Sequence, residues 1–245
     1  MTKRRILKLT GNDKTEFLQG LVTNDVNRIE NGLVYAAMLT PQGKYIADFF
    51  IAKTDGGMLL DVAESHGDML FQRLSMYKLR ADVSIAPADL HLHRGLGDAP
   101  EDALPDPRHA ALGWRAYRET PQEDDDTDWT ALRVAHQIPE TGIELTPDTF
   151  ILEVGFERLS GVDFRKGCYV GQEVTARMQH KTELRKGLAQ VSVEGPADQG
   201  AEIVANGKPA GTLLSRADDK ALAYLRFDRA TGPMQAGDAV ITRLT

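Results

Sequence analysis

From Arg185 to Thr245 the chain holds no long helical stretch, only short runs of alternating character: LAQVSV, AEIVA, AGTLLS, ALAYLRF and AVITRL. A period of two sends successive side chains to opposite faces, so each run can bury one face of a strand and leave the other in water. Asn206-Gly207 stands between two of these runs, and that pair tolerates the positive φ angles of a two-residue hairpin turn. Many short strands without a long helix predict a small β-barrel. The boundary is placed near residue 184, dividing a region 1–184 from a barrel 185–245.

The N-terminal part has a different texture. Residues 4 to 9 read as a strand, and Asp13 followed by Glu16 gives a capping-box-like start to a helix with Phe17, Leu18, Leu21 and Val22 on one face. Runs 33–40, 45–53 and 58–63 have strand composition, separated by the turn sequences Thr40-Pro41-Gln42-Gly43 and Asp55-Gly56-Gly57, which predicts an antiparallel meander. Ser65 is placed to cap a second helix with Met69, Leu70, Leu74 and Tyr77 inward, and the strand-like ADVSIA precedes Pro87. Farther on, scattered prolines and the acid run Glu123 to Asp128 mark loops around a strand-like stretch at 111–118. Asp128 is placed to cap a helix from Trp129 to Gln137, and another short helix starts near Val170. The class is α+β, followed by the barrel.

A net charge of -7 argues against nonspecific grip on a phosphate backbone, so no nucleic-acid partner is expected. No apolar stretch approaches the roughly 20 residues that span a bilayer. The start MTKRRILKLT lacks the apolar core of a secretory signal, so a cytoplasmic protein off the membrane, and a monomer, is the expectation. Cys168 is the single cysteine and cannot form an internal disulfide; an iron-sulfur cluster would need ligands from outside. His91 and His93 would point the same way along a strand, but no third ligand is evident, and no metal site is expected.

Chemistry concentrates in Lys166-Gly167-Cys168-Tyr169-Val170-Gly171-Gln172-Glu173, which joins a loop to a helix start. Free backbone N–H groups and the helix dipole favour negative charge there, and Lys166 adds a cation two residues from the thiol. The plain alternative is a small buried cysteine acting as a hydrophobe. Glu173 and Arg177 stand four apart and could pair on the helix surface or meet a ligand.

KGCYVGQEVTAR resembles the signature of the YgfZ family, and so do the runs GNDKTEFLQGLVTNDV, LTPQGKYIADF and YKLRADV, in the same order. The resemblance implies a ring of subdomains like that of the glycine-cleavage aminomethyltransferases, two interleaved α+β subdomains plus a C-terminal barrel, around a folate-sized opening. It implies tetrahydrofolate as ligand and iron-sulfur client proteins, tRNA-modifying radical enzymes among them, as partners. By the family pattern Lys166 and Cys168 face the ligand, with Tyr169, Gln172, Glu173 and Arg177 around them. Gln19, Thr23, Asn24, Asp25, Lys44 and Asp48 would help to line the opening. Two departures stand out: Ala135 and Gln137 replace an acid and a glycine common before the Ile-Pro pair, and MQHKTELRK replaces a glycine-containing linker.

A flat pterin wants a carboxylate or amide for its guanidine-like edge and an aromatic wall for its face. Glu173, Gln172, Asp25 and Asn24 could supply the first, Tyr169, Tyr77 or Trp114 the second, and Lys78 or Arg80 could meet the glutamate tail. Three functions remain open at this stage: a folate-dependent maintenance factor for iron-sulfur enzymes, a tetrahydrofolate-dependent aminomethyl- or methyltransferase, and a docking module with a structural cysteine.

Overall fold

The computed structural model describes residues 3–180 and 184–244. The departing linker MQHKTELRK therefore has its central residues 181–183 outside the described residues. Two compact units emerge, one built from Met1–Asp125 and Glu157–Val174, the other from Asp126–Phe156 and Thr175–Thr245.

The first unit opens with β1 (Arg4–Thr10) and the short helix α1 (Lys14–Gln19), then the predicted meander of β2 (Val34–Leu39), β3 (Tyr45–Thr54) and β4 (Gly57–Ala63). Helix α2 (Glu64–Lys78) and β5 (Ser84–Pro87) follow, and β1 pairs antiparallel with both β4 and β5, giving a sheet of order β2-β3-β4-β1-β5. Alternation assigns its two faces. Leu7, Leu9, Val34, Ala36, Met38, Phe49, Ile51, Leu60 and Val62 point to one side, where they pack with Leu18, Val22, Leu70 and Leu74. A large aliphatic side chain buried in this way contributes about 1.5–3 kcal/mol, so this face is the unit's main source of stability.

Three local expectations needed long-range information. Asp13 does not cap α1; its carboxylate accepts from the Asp82 N–H at 2.7 Å, a bond across the fold. Ser65 does not cap α2, which starts one residue earlier, at Glu64. Tyr77 was expected inward and is 37% exposed, because Leu70 and Leu74 already fill the space under the helix.

The opposite face of the sheet carries Arg4, Tyr35, Asp48, Phe50 and Asp61, and it is covered by a second sheet, β6 (His91–Gly95), β7 (Leu104–Pro105) and β8 (Trp114–Arg118), ordered β6-β8-β7. Charges are buried here. Asp61 accepts from Arg4 Nε and Arg115 Nη2, both at 2.6 Å, and from the Tyr117 hydroxyl at 3.1 Å. Asp106 takes Arg108 at 2.8 Å and Arg115 at 3.3 Å, while the Arg115 guanidinium lies 3.9 Å from the Phe50 ring centroid. Burial pushes both carboxyls up, but the neighbouring guanidiniums more than reverse this, leaving Asp61 lowered and Asp106 at about 2.

In the second unit α3 (Trp129–His136) is capped as expected, the Asp128 carboxylate accepting from the Ala131 N–H at 2.8 Å. The helix ends on Gln137 at φ 52, a left-handed residue, which gives a physical reason for the glycine common at this place in the resembling family. Helix α4 (Gln172–Gln179) begins two residues after the expected start near Val170. Then come β9 (Lys186–Glu194), β10 (Glu202–Ala205), β11 (Lys208–Ala217), β12 (Lys220–Arg226), β13 (Met234–Ala236) and β14 (Ala239–Arg243), closed into a barrel of order β10-β11-β12-β9-β14-β13. Asn206 and Gly207 turn at φ 51 and 72, as a two-residue hairpin requires. Val191, Ile203, Leu213, Leu225, Met234 and Ile241 fill the interior.

Removing one member of the buried charge network leaves its partners unpaired. Asp61→Ala is expected to cost about 3–5 kcal/mol in urea unfolding, far more than loss of the exposed Asp68. Because both folded carboxyls titrate below the ordinary 3.8, their stabilisation is present above that pH and is lost as pH falls, for Asp106 between 3.8 and about 2. Acid unfolding followed by circular dichroism should steepen in that window.

Candidate functional site

The segment from Ser160 to Val174 is sewn onto the N-terminal motif by polar side chains. Thr23 Oγ1 donates to the Gly161 carbonyl at 2.7 Å and accepts from the Ala37 N–H at 2.9 Å. Asn24 Nδ2 donates to the carbonyls of Tyr35 and Ser160, at 2.8 and 2.7 Å. The Asp163 and Val170 N–H groups donate to the carbonyls of Thr23 and Gly20, at 3.0 and 3.2 Å. An ion pair of 2.5 Å joins Arg28 to Asp163.

Lys166 is the centre of this seam. Its side chain is 9% exposed, and Nζ donates to the carbonyls of Gln19, Val22 and Asn24 at 2.7, 2.5 and 3.0 Å. Gln19 is the last residue of α1, and Val22 and Asn24 follow it, so the ammonium satisfies the helix's final carbonyl and two beyond it while anchoring a distant loop. Burial pushes Lys166 down to about 8, with the Asp25 and Asp163 carboxylates opposing the shift.

Two glycines close the other side. Gly171 (φ +86) and Gly43 (φ +76) meet where the β2–β3 turn packs on the loop, and a Cβ on Gly171 would lie 2.7 Å from the Thr40 carbonyl oxygen. The motifs KGCYVGQE and LTPQGKY therefore touch through positions that admit no side chain.

Cys168 sits outside this seam and is exposed. It borders an open cleft of about 590 Å³ lined by Asn12, Asp13, Thr15, Glu16, Gln19, Gly20 and Asn27. The cysteine of the plain reading, sealed in the core, is not what the fold holds. The pairing of thiol with ammonium also changes character, because the Lys166 donors are directed at three carbonyls.

The other expected residues divide into two groups. Thr23, Asn24 and Asp48 are 0%, 4% and 4% exposed, and their polar atoms serve the fold; Asp48 accepts from the hydroxyls of Tyr35 at 3.0 Å and Tyr45 at 2.7 Å. The structure thus places these three expected residues in the interior and directs the Lys166 ammonium at backbone carbonyls. Gln19 lines the cleft while bonding Asp25 Oδ1 at 2.9 Å and the Val26 N–H at 2.8 Å. Asp25 also accepts from Asn27, and although burial raises its carboxyl, these bonds bring it below the ordinary value. Tyr169 is buried under Lys166, whose Nζ lies 5.0 Å from its ring centroid. Lys44 and Gln172 are half-buried, and Glu173 and Arg177 are exposed on α4. The cleft also takes Asn12, Thr15, Glu16 and Asn27, of which Thr15 and Glu16 lie on α1, whose polar side is the one signal for them in the sequence.

The cleft does not fit tetrahydrofolate as a whole. Its amides and carboxylates suit a guanidine-like edge, but the lining holds no aromatic wall for a pterin face and no cation for a glutamate tail. Among the described residues, no three His, Cys, Asp or Glu side chains converge in a way that could hold a metal ion.

An α+β region followed by a closed six-stranded barrel is an aminomethyltransferase-like fold. The crystal structure of glycine cleavage system aminomethyltransferase T from Bartonella henselae superposes with a TM-score of 0.77 at 12% identity, covering 99% of this chain and 82% of that one, which establishes the fold. Residues 185–244 match the family described as CAF17, C-terminal beta-barrel domain. The mitochondrial iron-sulfur cluster assembly factor IBA57 of Mus musculus is 30% identical over 94% of this chain and 78% of its own length, and the human protein 27% over the same shares. The Mycosarcoma maydis homologue is 30% identical over 77% of this chain, which spans 55% of that longer relative. This chain belongs to the IBA57 family of iron-sulfur cluster assembly factors. The expectation of a cytoplasmic protein is thereby corrected, since these relatives are named mitochondrial.

Lys166→Met leaves three carbonyls without their donor, and since an unsatisfied buried acceptor costs about 1–3 kcal/mol, a loss of at least about 2 kcal/mol is expected. Between pH about 8 and 10.5 the unfolded chain holds a proton on Lys166 that the folded protein has released, so this group's contribution to stability rises with pH there. Urea unfolding of both proteins from pH 7 to 10 checks the sign: the stability difference should change across that window.

Proposed function

We propose that this chain assists the assembly or repair of iron-sulfur clusters on client enzymes, tRNA-modifying radical enzymes among them, with Cys168 as the group that meets the cluster. The observation that carries this reading is the exposure of the chain's single cysteine on a loop fixed from beneath by Lys166. Family membership supports the substrate: the relatives are named iron-sulfur cluster assembly factors. A thiolate is the ligand such clusters take, commonly four to a cluster. One exposed thiol supplies one ligand, so the cluster is cargo shared with a second protein that brings the others.

A second reading is tetrahydrofolate-dependent aminomethyl or methyl transfer, supported by the fold shared with aminomethyltransferase T. Asp13 and Glu16 are the cleft's proton-transfer groups for such chemistry, but the cleft lining does not fit the folate as a whole.

Cys168→Ser in the full chain is expected to leave thermal unfolding unchanged and to lower cluster delivery to an apo client by about tenfold or more, comparable to the loss of a metal-site interaction. Client activation at the wild-type rate would remove the proposal. The same preparation assayed for aminomethyl transfer with a lipoyl carrier protein and tetrahydrofolate should show no turnover, and turnover would favour the second reading. Native protein should react with a thiol reagent at Cys168 as fast as a free thiol does; burial from the reagent would contradict its assigned role.

A further inference from the structure

Helix α2 ends in an unusual way. Its last residues should turn their apolar side chains down, yet Met76 is 58% exposed, Tyr77 37% and Leu79 88%. Leu79, directly after the helix, holds φ 43 and ψ -105, a backbone region that a side chain disfavours and that glycine would enter freely. Folding therefore carries both strain and an exposed aliphatic group at one residue, although a glycine there would relieve both. Such a conflict between local preference and observed conformation is the mark of a residue kept for a contact outside the chain.

The charge around this tip narrows the partner. Arg73, Met76 and Tyr77 share a helix face by their three- and four-residue spacing, and Arg80 follows Leu79. The carboxylates nearest in sequence are engaged elsewhere, Asp68 with Arg5 and Asp82 with Asn12. Among the described residues no ion pair involves Arg73 or Arg80. A basic, apolar-centred tip on a chain of net charge -7 is complementary to a surface of the opposite pattern. Arginine, tyrosine and methionine are also the residues that protein interfaces favour.

We propose that the C-terminal end of α2, with Leu79 as its anchor, docks a partner protein through a segment whose apolar side chains are flanked by carboxylates. Leu79 enters a pocket on that segment, and Arg73 and Arg80 meet its acids. Cys168 takes no part in the argument, so this docking stands or falls separately from the cluster-handling role.

The test uses the full chain and a fluorescein-labelled synthetic peptide with leucine and phenylalanine at helical spacing and glutamate between them. Fluorescence anisotropy should show saturable binding that weakens with salt, and none for the same peptide with lysine in place of glutamate. Leu79→Gly should weaken binding about tenfold or more while leaving the melting temperature unchanged or higher, because glycine takes the left-handed backbone without strain. Arg73→Glu combined with Arg80→Glu should switch the preference to the lysine peptide. Wild-type affinity in Leu79→Gly would overturn the proposal, as would equal binding of a pentaglutamate peptide. So would a Leu79-dependent dimer in sedimentation velocity, which would make the occupant a second copy of this chain.

Discussion

One ammonium and three backbone carbonyls hold the site together. Lys166 donates at once to Gln19, the last residue of α1, and to Val22 and Asn24 in the segment that follows. A lysine has three donors and no acceptor, so this arrangement uses its full hydrogen-bonding capacity and fixes its direction. The loop that carries Cys168 is thereby tied to the start of the chain across more than a hundred residues of intervening sequence. The thiol two positions farther on has no such tie and faces solvent. Rigidity beneath and exposure above are what a transient ligand needs, because a fixed base limits the entropy lost when a partner's cluster is met.

Much of the fold could be read from the residues because its signals are local. The meander's turns, the Asn206-Gly207 hairpin and the alternating barrel strands each follow from backbone preferences that act within a few positions. The Asp128 cap is equally local. The failures share one cause, competition from far along the chain. Asp13 has the right side chain and spacing for a cap, but the Asp82 N–H, brought in by β5, takes its carboxylate instead. The network of Asp61, Arg115 and Asp106 depends on β8 covering the sheet's second face, which no alternation in β4 announces.

The site shows the same limit in a sharper form. Polar motif residues look alike whether they bind a ligand or bind the backbone. Thr23 and Asn24 at an opening, and Lys166 facing a ligand, are expectations that the family resemblance alone implies. In the fold they recognise the chain itself, and the recognised groups are carbonyls and N–H groups that have no sequence signature. Gly171 at φ +86 packs where any Cβ would strike Thr40 or Leu39, a constraint on the loop three residues from Cys168.

These constraints also separate the two outward-facing features of the first unit. Cys168 is exposed between Lys166 and Tyr169, which are buried, whereas Leu79 is exposed in a backbone conformation that its side chain disfavours. The first needs no external contact to be stable, and the role proposed for it is chemical. The second is a local cost that the internal packing of α2 does not offset, since Leu70 and Leu74 already complete that packing. A protein that only carried a thiol would have no use for it. One that must also be oriented against a partner before the thiol is offered would, because orientation needs a contact away from the reacting atom.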